Sequence, residues 1–300
     1  MTRARAPGKI VLSGAYAVLS GAPAIVSAVS RYVIADSARS ATFVTDEVRA
    51  ALTPEQRAPW FDAAELRRDG RKLGLGSSAA ILVASLCALE PEPAAALDER
   101  ARQQIFERAL AAHRLAQGGG SGVDVAASSF GGTLVYRLLD GGPRFGAVGL
   151  PAQLSFEVWA CPTSASTREL IAAVNALQAR APEEHAAWLG AQTSAAWAAA
   201  HSIEGQDAAG LVRALRDQQR ALSGLGRAAG VPIVTPELAL LAGQAEAEDG
   251  LLLPAGAGGG DIAIFVGRAP STPELRAALE NHAHRLLDVE LSAPGVAVCL

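Results

Sequence analysis

Residues 73–80 read LGLGSSAA, a turn of two glycines and two serines that leads directly into an apolar stretch. Backbone N–H groups at such a turn, and the positive end of a following helix, both attract an anion. Residues 78–89 are almost continuously apolar or small, which predicts a helix anchored in a core. The segment therefore predicts a phosphate-binding turn, and it also fits a plain turn with a serine N-cap.

The turn matches neither of the two common nucleotide motifs, the P-loop and the dinucleotide-binding GxGxxG. Two further segments extend the pattern. Residues 6–19 read APGKIVLSGAYAVL, which places Lys9 at the start of a strand, and residues 254–261 read PAGAGGGD before the strand-like IAIFV. In this order the three segments resemble the GHMP kinase superfamily, named for galactokinase, homoserine, mevalonate and phosphomevalonate kinases. The resemblance spans nearly the whole chain.

Two segments narrow the resemblance. Residues 112–132, which include SGVD at Ser121–Asp124, are similar to the stretch around the catalytic aspartate of phosphomevalonate kinases. Residues 164–170, SASTREL, are similar to an Ala-Ser-Thr element in the second half of those enzymes. Mevalonate kinases come next, because they share SGVD. The resemblance implies an ATP- and magnesium-dependent enzyme that phosphorylates 5-phosphomevalonate to 5-diphosphomevalonate, with mevalonate kinase or a non-catalytic nucleotide-binding relative as alternatives.

The resemblance also implies roles for individual residues. Asp124 would be the catalytic base, Lys9 would support it, and a hydroxyl of the turn, Ser78 in preference to Ser77, would ligate magnesium. The residues implied to bind ATP are Gly74, Leu75, Gly76, Ser77, Ser78 and Ala79. Those implied to bind the acceptor are Ser121, Gly122, Ser166, Thr167, Gly258, Gly259, Gly260 and Asp261.

Three of these assignments compete with structural interpretations of the same residues. Ser121 and Asp124 have the spacing of a helix capping box. Ser166 and Thr167 precede an expected helix and fit its N-cap. Gly258, Gly259 and Gly260, which precede Asp261, fit a hairpin turn between strands.

The chain departs from the family pattern at positions that concern the acceptor. Mevalonate kinases carry a magnesium-binding glutamate eleven residues before the aspartate, where this chain has His113, as a phosphomevalonate kinase would. A phosphorylated acceptor needs cationic partners, and some that the family supplies are missing here. The remaining candidates are Arg31, Arg137, Arg168 and the basic group Arg67, Arg68, Arg71 and Lys72, which also fits a solvated turn.

Composition excludes several classes of protein. The net charge of −4 over 300 residues argues against general nucleic-acid binding. No apolar run reaches the roughly 20 residues of a membrane helix, and no secretory signal is expected. Cys87, Cys161 and Cys299 are widely spaced, so reduced thiols are expected. We therefore expect a cytoplasmic enzyme whose partner is a small molecule, with its oligomeric state open.

Periodicity predicts an α+β fold, which the resemblance specifies as the two-lobed GHMP kinase fold, with an N-terminal ribosomal-S5-like lobe and a C-terminal ferredoxin-like lobe. The expected domains are an ATP-binding domain at 1–152 and a C-terminal domain at 153–300. Strands are expected at 9–12, 24–34, 41–45, 133–138, 154–160 and around 262 and 296. Helices are expected at 78–89, 98–117, 168–180, 183–202, 207–229 and 236–248.

Overall fold

The computed structural model describes residues 2–90, 97–164 and 166–299. Helices and strands both contribute extensively, which confirms the α+β prediction. The described helices are α1 (Asp46–Ala51), α2 (Ser77–Ala88), α3 (Glu99–Gln117), α4 (Val123–Phe130), α5 (Thr167–Arg180), α6 (Pro182–Glu204), α7 (Ala208–Ala229), α8 (Pro236–Ala247) and α9 (Pro273–Asn281). The described strands are β1 (Arg3–Ser13), β2 (Ala24–Ser40), β3 (Pro59–Asp62), β4 (Arg67–Arg68), β5 (Arg71–Lys72), β6 (Thr133–Leu139), β7 (Gly142–Val148), β8 (Ser155–Ala160), β9 (Leu251–Pro254), β10 (Ile262–Gly267), β11 (Arg285–Leu287) and β12 (Ala297–Cys299).

The chain forms two compact units that are discontinuous in sequence. Unit 1 comprises Met1–Ile10, Val26–Leu134 and Val289–Leu300, and unit 2 comprises Val11–Ile25 and Val135–Asp288. The division into domains at residue 152 stays a prediction. The chain passes from one compact unit to the other inside β1, β2 and β6.

The larger sheet has the strand order β12-β1-β2-β6-β7, and β3 pairs with β2. The sheet of unit 2 has the order β11-β8-β10-β9, and its strand pairs are antiparallel. Within unit 2, Trp159 of β8 packs with apolar residues of α8, β9, β10 and α9. Burial of these side chains supplies the main favourable free energy for folding the unit.

Helix α2 is the central helix of unit 1. Every residue of α2 except Ser78 is buried, which accounts for its nearly continuous apolar sequence. Helix α3 begins after Asp98, whose carboxylate accepts the Ala101 amide at 2.7 Å, and ends at Gly118 in the left-handed conformation. Both helices are confirmed within one or two residues of their predicted bounds.

The strand predicted at 41–45 is wrong, because β2 runs on to Ser40 and the chain then turns into α1. Thr45 caps α1 by accepting the Val48 amide at 3.3 Å, and Asp46 and Glu47 occupy the first helical turn. A threonine cap followed by two acidic residues favours a helix start over a strand. The β-branched residues at 41–45 favour a strand, which explains the wrong prediction.

Candidate functional site

The phosphate-binding turn, residues 74–79, has backbone amides available to a ligand. Gly74 and Gly76 both have φ of 73°, a left-handed conformation that glycine adopts without strain. The first bond of α2 is donated by Ala80 to the Gly76 carbonyl at 3.1 Å, and no side chain caps the helix. Within the described residues, the amides of residues 74–79 themselves donate no hydrogen bond. The positive end of α2 is therefore open to an anion.

Lys9 of β1 is tied to the turn through its backbone and its side chain. The Lys9 amide donates to the Leu75 carbonyl at 2.9 Å. A Cβ placed on Gly76 would come within 2.8 Å of Cε and 2.9 Å of Cγ of Lys9. The absence of a side chain at residue 76 therefore lets the lysine run along the turn that would hold phosphates.

Asp124 lies in the first turn of α4, and the capping-box interpretation is wrong. The N-cap of α4 is Gly122, with φ of 79° and no side-chain cap. The Ser121 hydroxyl instead accepts the Val123 amide at 3.4 Å, and Asp124 Oδ1 accepts the Val125 amide at 3.0 Å. Because Asp124 does not cap the helix, its partly exposed carboxylate is available for chemistry.

His113 of α3 contacts the aspartate. Its Nε2 lies 3.5 Å from Asp124 Oδ2, and the two side chains are 4% and 24% exposed. Burial would raise the pKa of Asp124, but His113, the Lys9 ammonium and the Val125 amide outweigh it and lower that pKa to about 2. Asp124 is therefore a carboxylate throughout the physiological range, and a weak base.

Glu47 of α1 is a site residue that the sequence did not reveal. Its side chain is buried and accepts a hydrogen bond of 3.2 Å from Gln117, one helical turn beyond His113. Burial would raise the pKa of Glu47, but the hydrogen bonds that its carboxylate accepts and the charge of His113 lower it. The signal was hidden because no helix was predicted at 46–51, directly after the segment predicted as a strand.

Of the two serines in the turn, Ser77 is buried and Ser78 is partly exposed. Accessibility thus favours Ser78 as the hydroxyl that would meet magnesium. A single hydroxyl suits an ion that keeps waters and nucleotide oxygens as its other ligands. No cluster of three or more acidic, histidine or cysteine side chains suited to a metal occurs in the part of the chain that the structure describes. The partly exposed Ser78 hydroxyl is the group in the turn that fits magnesium carried by a nucleotide.

The remaining predicted acceptor residues belong to unit 2. The Ser166 hydroxyl caps α5 by accepting the Glu169 amide at 3.3 Å, and Thr167 is the first residue of that helix. Asp261 accepts a hydrogen bond of 2.9 Å from the Ser164 hydroxyl. Their contacts with an acceptor stay predictions, as do those of Gly122 and Ser121.

The glycine segment of unit 2, residues 255–261, uses its own amides. Gly256 donates to the Val11 carbonyl at 3.1 Å, Gly258 to Ala255 at 3.2 Å and Gly259 to Ile233 at 2.9 Å. A Cβ on Gly258 would lie 2.2 Å from the Ile233 carbonyl oxygen, and one on Gly260 would meet the Thr163 hydroxyl at 2.2 Å. Close packing therefore favours glycine at residues 258 and 260, whether or not Gly258, Gly259 and Gly260 also contact a ligand.

The candidate cations differ in how free they are. Arg31 donates to the Glu65 carbonyl at 3.1 Å, and Arg137 stacks on Trp197 at 4.6 Å. The basic group before the turn forms the two-stranded β4–β5 hairpin, with all four side chains exposed. The side chains of Arg67, Arg71 and Lys72 form no hydrogen bond or ion pair within the described residues. They are the free cations of unit 1 nearest in sequence to the turn.

Comparison with known proteins agrees with this geometry. The model of the family described as the GHMP kinases N-terminal domain matches residues 63–132, which include the phosphate-binding turn, His113 and Asp124. The chain belongs to the GHMP kinase superfamily.

Two curated GHMP kinases are similar in sequence. A phosphomevalonate kinase from Streptomyces sp. (strain CL190) is 32% identical over 225 residues, which cover 67% of this chain and 59% of that protein. A mevalonate kinase from Archaeoglobus fulgidus is 32% identical over 200 residues, which cover 60% of this chain and 65% of that protein. The chain thus spans less than two thirds of the length of either relative.

The GHMP kinase fold is evident from solved structures. The phosphomevalonate kinase of Streptococcus pneumoniae, in complex with phosphomevalonate and AMPPNP, superposes with a TM-score of 0.76 at 20% identity, covering 97% of this chain and 100% of that one. At this identity the likeness shows the fold alone, and it confirms the predicted fold class. Membrane-spanning helices were also sought among the described residues. No helix in the described ranges has both the length and the apolar character that crossing a membrane requires.

Proposed function

We propose that this protein is an ATP-dependent kinase that phosphorylates 5-phosphomevalonate to 5-diphosphomevalonate. The observation that carries the proposal is the cluster in unit 1, in which Lys9 contacts a turn with free amides and lies near Asp124. An anion-binding backbone, a cation and an ionised carboxylate are the protein groups that phosphoryl transfer needs.

Each group has a distinct role in the transfer. The amides of residues 74–79 would hold the phosphates of ATP, and Lys9 would neutralise charge that develops on them. Magnesium, when bound with the nucleotide at Ser78, would neutralise further phosphate charge. An oxygen of the acceptor forms a bond to the γ-phosphorus, the bond to the β–γ bridging oxygen breaks, and ADP leaves.

Asp124 is better suited to orienting the acceptor than to removing its proton early. With its pKa lowered to about 2, the carboxylate binds a proton weakly, but it accepts a hydrogen bond from a hydroxyl or a protonated phosphate oxygen. A phosphate monoester has a second pKa of about 6 and is largely ionised at neutral pH. A loose transition state also needs little proton removal before the phosphoryl group moves.

The acceptor is proposed from two observations. The Streptomyces phosphomevalonate kinase is similar over more of this chain than the archaeal mevalonate kinase. In addition, the place where the resemblance expects a carboxylate in mevalonate kinases is occupied by His113, which reduces the negative charge that a phosphorylated acceptor would meet. The similarity to the archaeal enzyme makes mevalonate the second candidate.

The experiment is a coupled assay of ADP release by the purified protein with ATP and magnesium. Mevalonate, 5-phosphomevalonate, homoserine and galactose are offered in parallel, and the product is identified by mass spectrometry. We expect turnover with 5-phosphomevalonate and a gain of one phosphate. Preference for mevalonate would select the second candidate, and ATP binding without turnover on any acceptor would contradict both.

A further inference from the structure

His113 is a buried histidine whose ring nitrogens lack hydrogen bonds. The residue is 3% exposed, and neither Nδ1 nor Nε2 has a hydrogen-bond partner within the described residues. The 3.5 Å approach of Nε2 to Asp124 Oδ2 is an ion-pair contact rather than a well-formed hydrogen bond. A buried polar ring without partners is costly, so compensation from nearby charge is expected.

Charged groups face His113 from three of the elements around it. Helix α4 presents Asp124, α1 presents Glu47 and β1 presents the Lys9 ammonium. Helix α2, which also packs on α3, carries Cys87 as its titratable group, and burial raises the pKa of that thiol to about 12, so it stays neutral. Asp46 and Arg49 of α1 are exposed. Two carboxylates therefore act on the imidazole against one ammonium.

The balance of these effects favours the protonated ring. Burial lowers the pKa of His113, but the contact with Asp124 and the charges of Asp124 and Glu47 raise it above the ordinary 6.5, against the opposing charge of Lys9. His284 gives the contrast within the same chain. It is equally buried, and burial lowers its pKa. Burial alone therefore does not explain the behaviour of His113.

We propose that His113 is a positioning residue, an imidazolium favoured by the charges of Glu47 and Asp124, which fixes the Asp124 carboxylate and balances the charge of the site. This inference rests on the proposed kinase function. With the Val125 amide on Oδ1 and His113 facing Oδ2, both oxygens of the carboxylate are oriented. The acceptor would then meet a carboxylate of fixed direction.

Charge balance gives the proposal a consequence for binding. With the imidazolium present, His113 and Lys9 offset Glu47 and Asp124. Once the ring is neutral, the cluster carries a net negative charge directly beside a site for phosphates. Because ATP and the proposed acceptor are both anions, loss of this proton is expected to raise KM and lower turnover.

The direction of the pH effect follows from the raised pKa of His113. The stabilising interaction with the carboxylates is fully present below the ordinary value of 6.5 and is lost as pH rises through the higher pKa of the folded protein. The kcat/KM for the acceptor should therefore fall on the alkaline side, with its midpoint at the titration of His113.

The experiment follows the five histidine rings by NMR during a pH titration of the full chain, with His113→Gln assigning the His113 signal. We expect the His113 midpoint above 6.5 and the His284 midpoint below it. Glu47→Gln should move the His113 midpoint down by about one pH unit, the scale of a lost neighbouring charge. Asp46→Asn, an exposed change in the same helical turn, is the matched control and should leave the midpoint in place.

Turnover is then measured across pH with the acceptor found active. We expect the alkaline decline of kcat/KM to move with the NMR midpoint in Glu47→Gln and to vanish in His113→Gln, at lower activity. A His113 midpoint at or below 6.5, or one insensitive to Glu47→Gln, would overturn the inference even in an active enzyme. A decline that ignores the NMR shift would also overturn it, whereas absence of turnover on every acceptor would contradict the proposed function instead.

Discussion

Two segments that contain several glycines, one in each unit, use their backbone amides differently. In the phosphate-binding turn of unit 1, the amides of residues 74–79 remain unused by the protein, and Lys9 lies against Gly76. In the glycine segment of unit 2, Gly256, Gly258 and Gly259 donate to carbonyls of their own unit, and Tyr16 donates to the Ala257 carbonyl at 2.7 Å. Glycine content alone thus does not identify an anion site. An anion site also requires amides that donate no hydrogen bond within the protein.

The largest expected effect is the loss of turnover when the Asp124 carboxylate of unit 1 is removed. Asp124→Asn should reduce kcat by at least ~100-fold, because it removes the group that orients the attacking oxygen. ATP affinity, measured by calorimetry, should change little. Asp140→Asn, in an exposed turn of unit 2, is the matched control and should retain kcat. Full turnover in Asp124→Asn would remove the proposed catalytic role from Asp124.

A substitution in the glycine segment of unit 2 should lower the free energy of unfolding. Gly258→Ala places a Cβ against the Ile233 carbonyl, and Gly258 has φ of 77°, where alanine is strained. Strain and overlap together should cost about 2 kcal/mol and lower the thermal midpoint by several degrees. The measurement is thermal unfolding by circular dichroism. An unchanged midpoint with weakened ATP binding would show that this glycine serves the ligand rather than the fold.

A smaller effect is expected in the turn of unit 1. A pair of variants there separates the cost of backbone strain from the loss of ATP binding. Gly76→Ala should weaken ATP binding by about tenfold, or about 1.4 kcal/mol, because the new methyl group displaces Lys9. Gly118→Ala is the control, since Gly118 has φ of 71° and a Cβ added there would meet no atom within 4 Å. Both variants should lose about 1 kcal/mol of stability through left-handed backbone strain. Equal ATP affinities in the two variants would mean that the contribution of Lys9 to ATP binding does not require glycine at residue 76.

Local sequence signals predicted the elements that are specified locally. Helix α2 followed from its continuous apolar run, and α3 from the Asp98 cap and the left-handed Gly118. The Ser121–Asp124 spacing misled because Gly122, by adopting a left-handed conformation, starts α4 one residue later than a capping box requires. Motif spacing therefore placed Asp124 at the start of a helix but did not describe its hydrogen bonds.

Contacts between distant residues could not be predicted in this way. Glu47 joins the site through Gln117, which lies 70 residues further along the chain. Its contribution depends on α1 packing against α3, and the short sequence before Asp46, which contains the Thr45 cap, was predicted as a strand. The amide partners of the glycine segment likewise lie on Val11 and Ile233, far away in sequence. The burial of the site and the charges of Glu47 and His113 were accordingly absent from the sequence prediction.

The β4–β5 hairpin has a practical consequence for handling the protein. Its two-residue strands present Arg67, Arg68, Arg71 and Lys72 to solvent, with the turn at Asp69 and Gly70. Trypsin cleaves after basic residues in exposed, weakly held backbone of this kind. A cut there would separate β3 from the phosphate-binding turn and give two fragments of distinct size. Limited digestion on a gel can thus report whether a nucleotide protects the backbone just ahead of the turn.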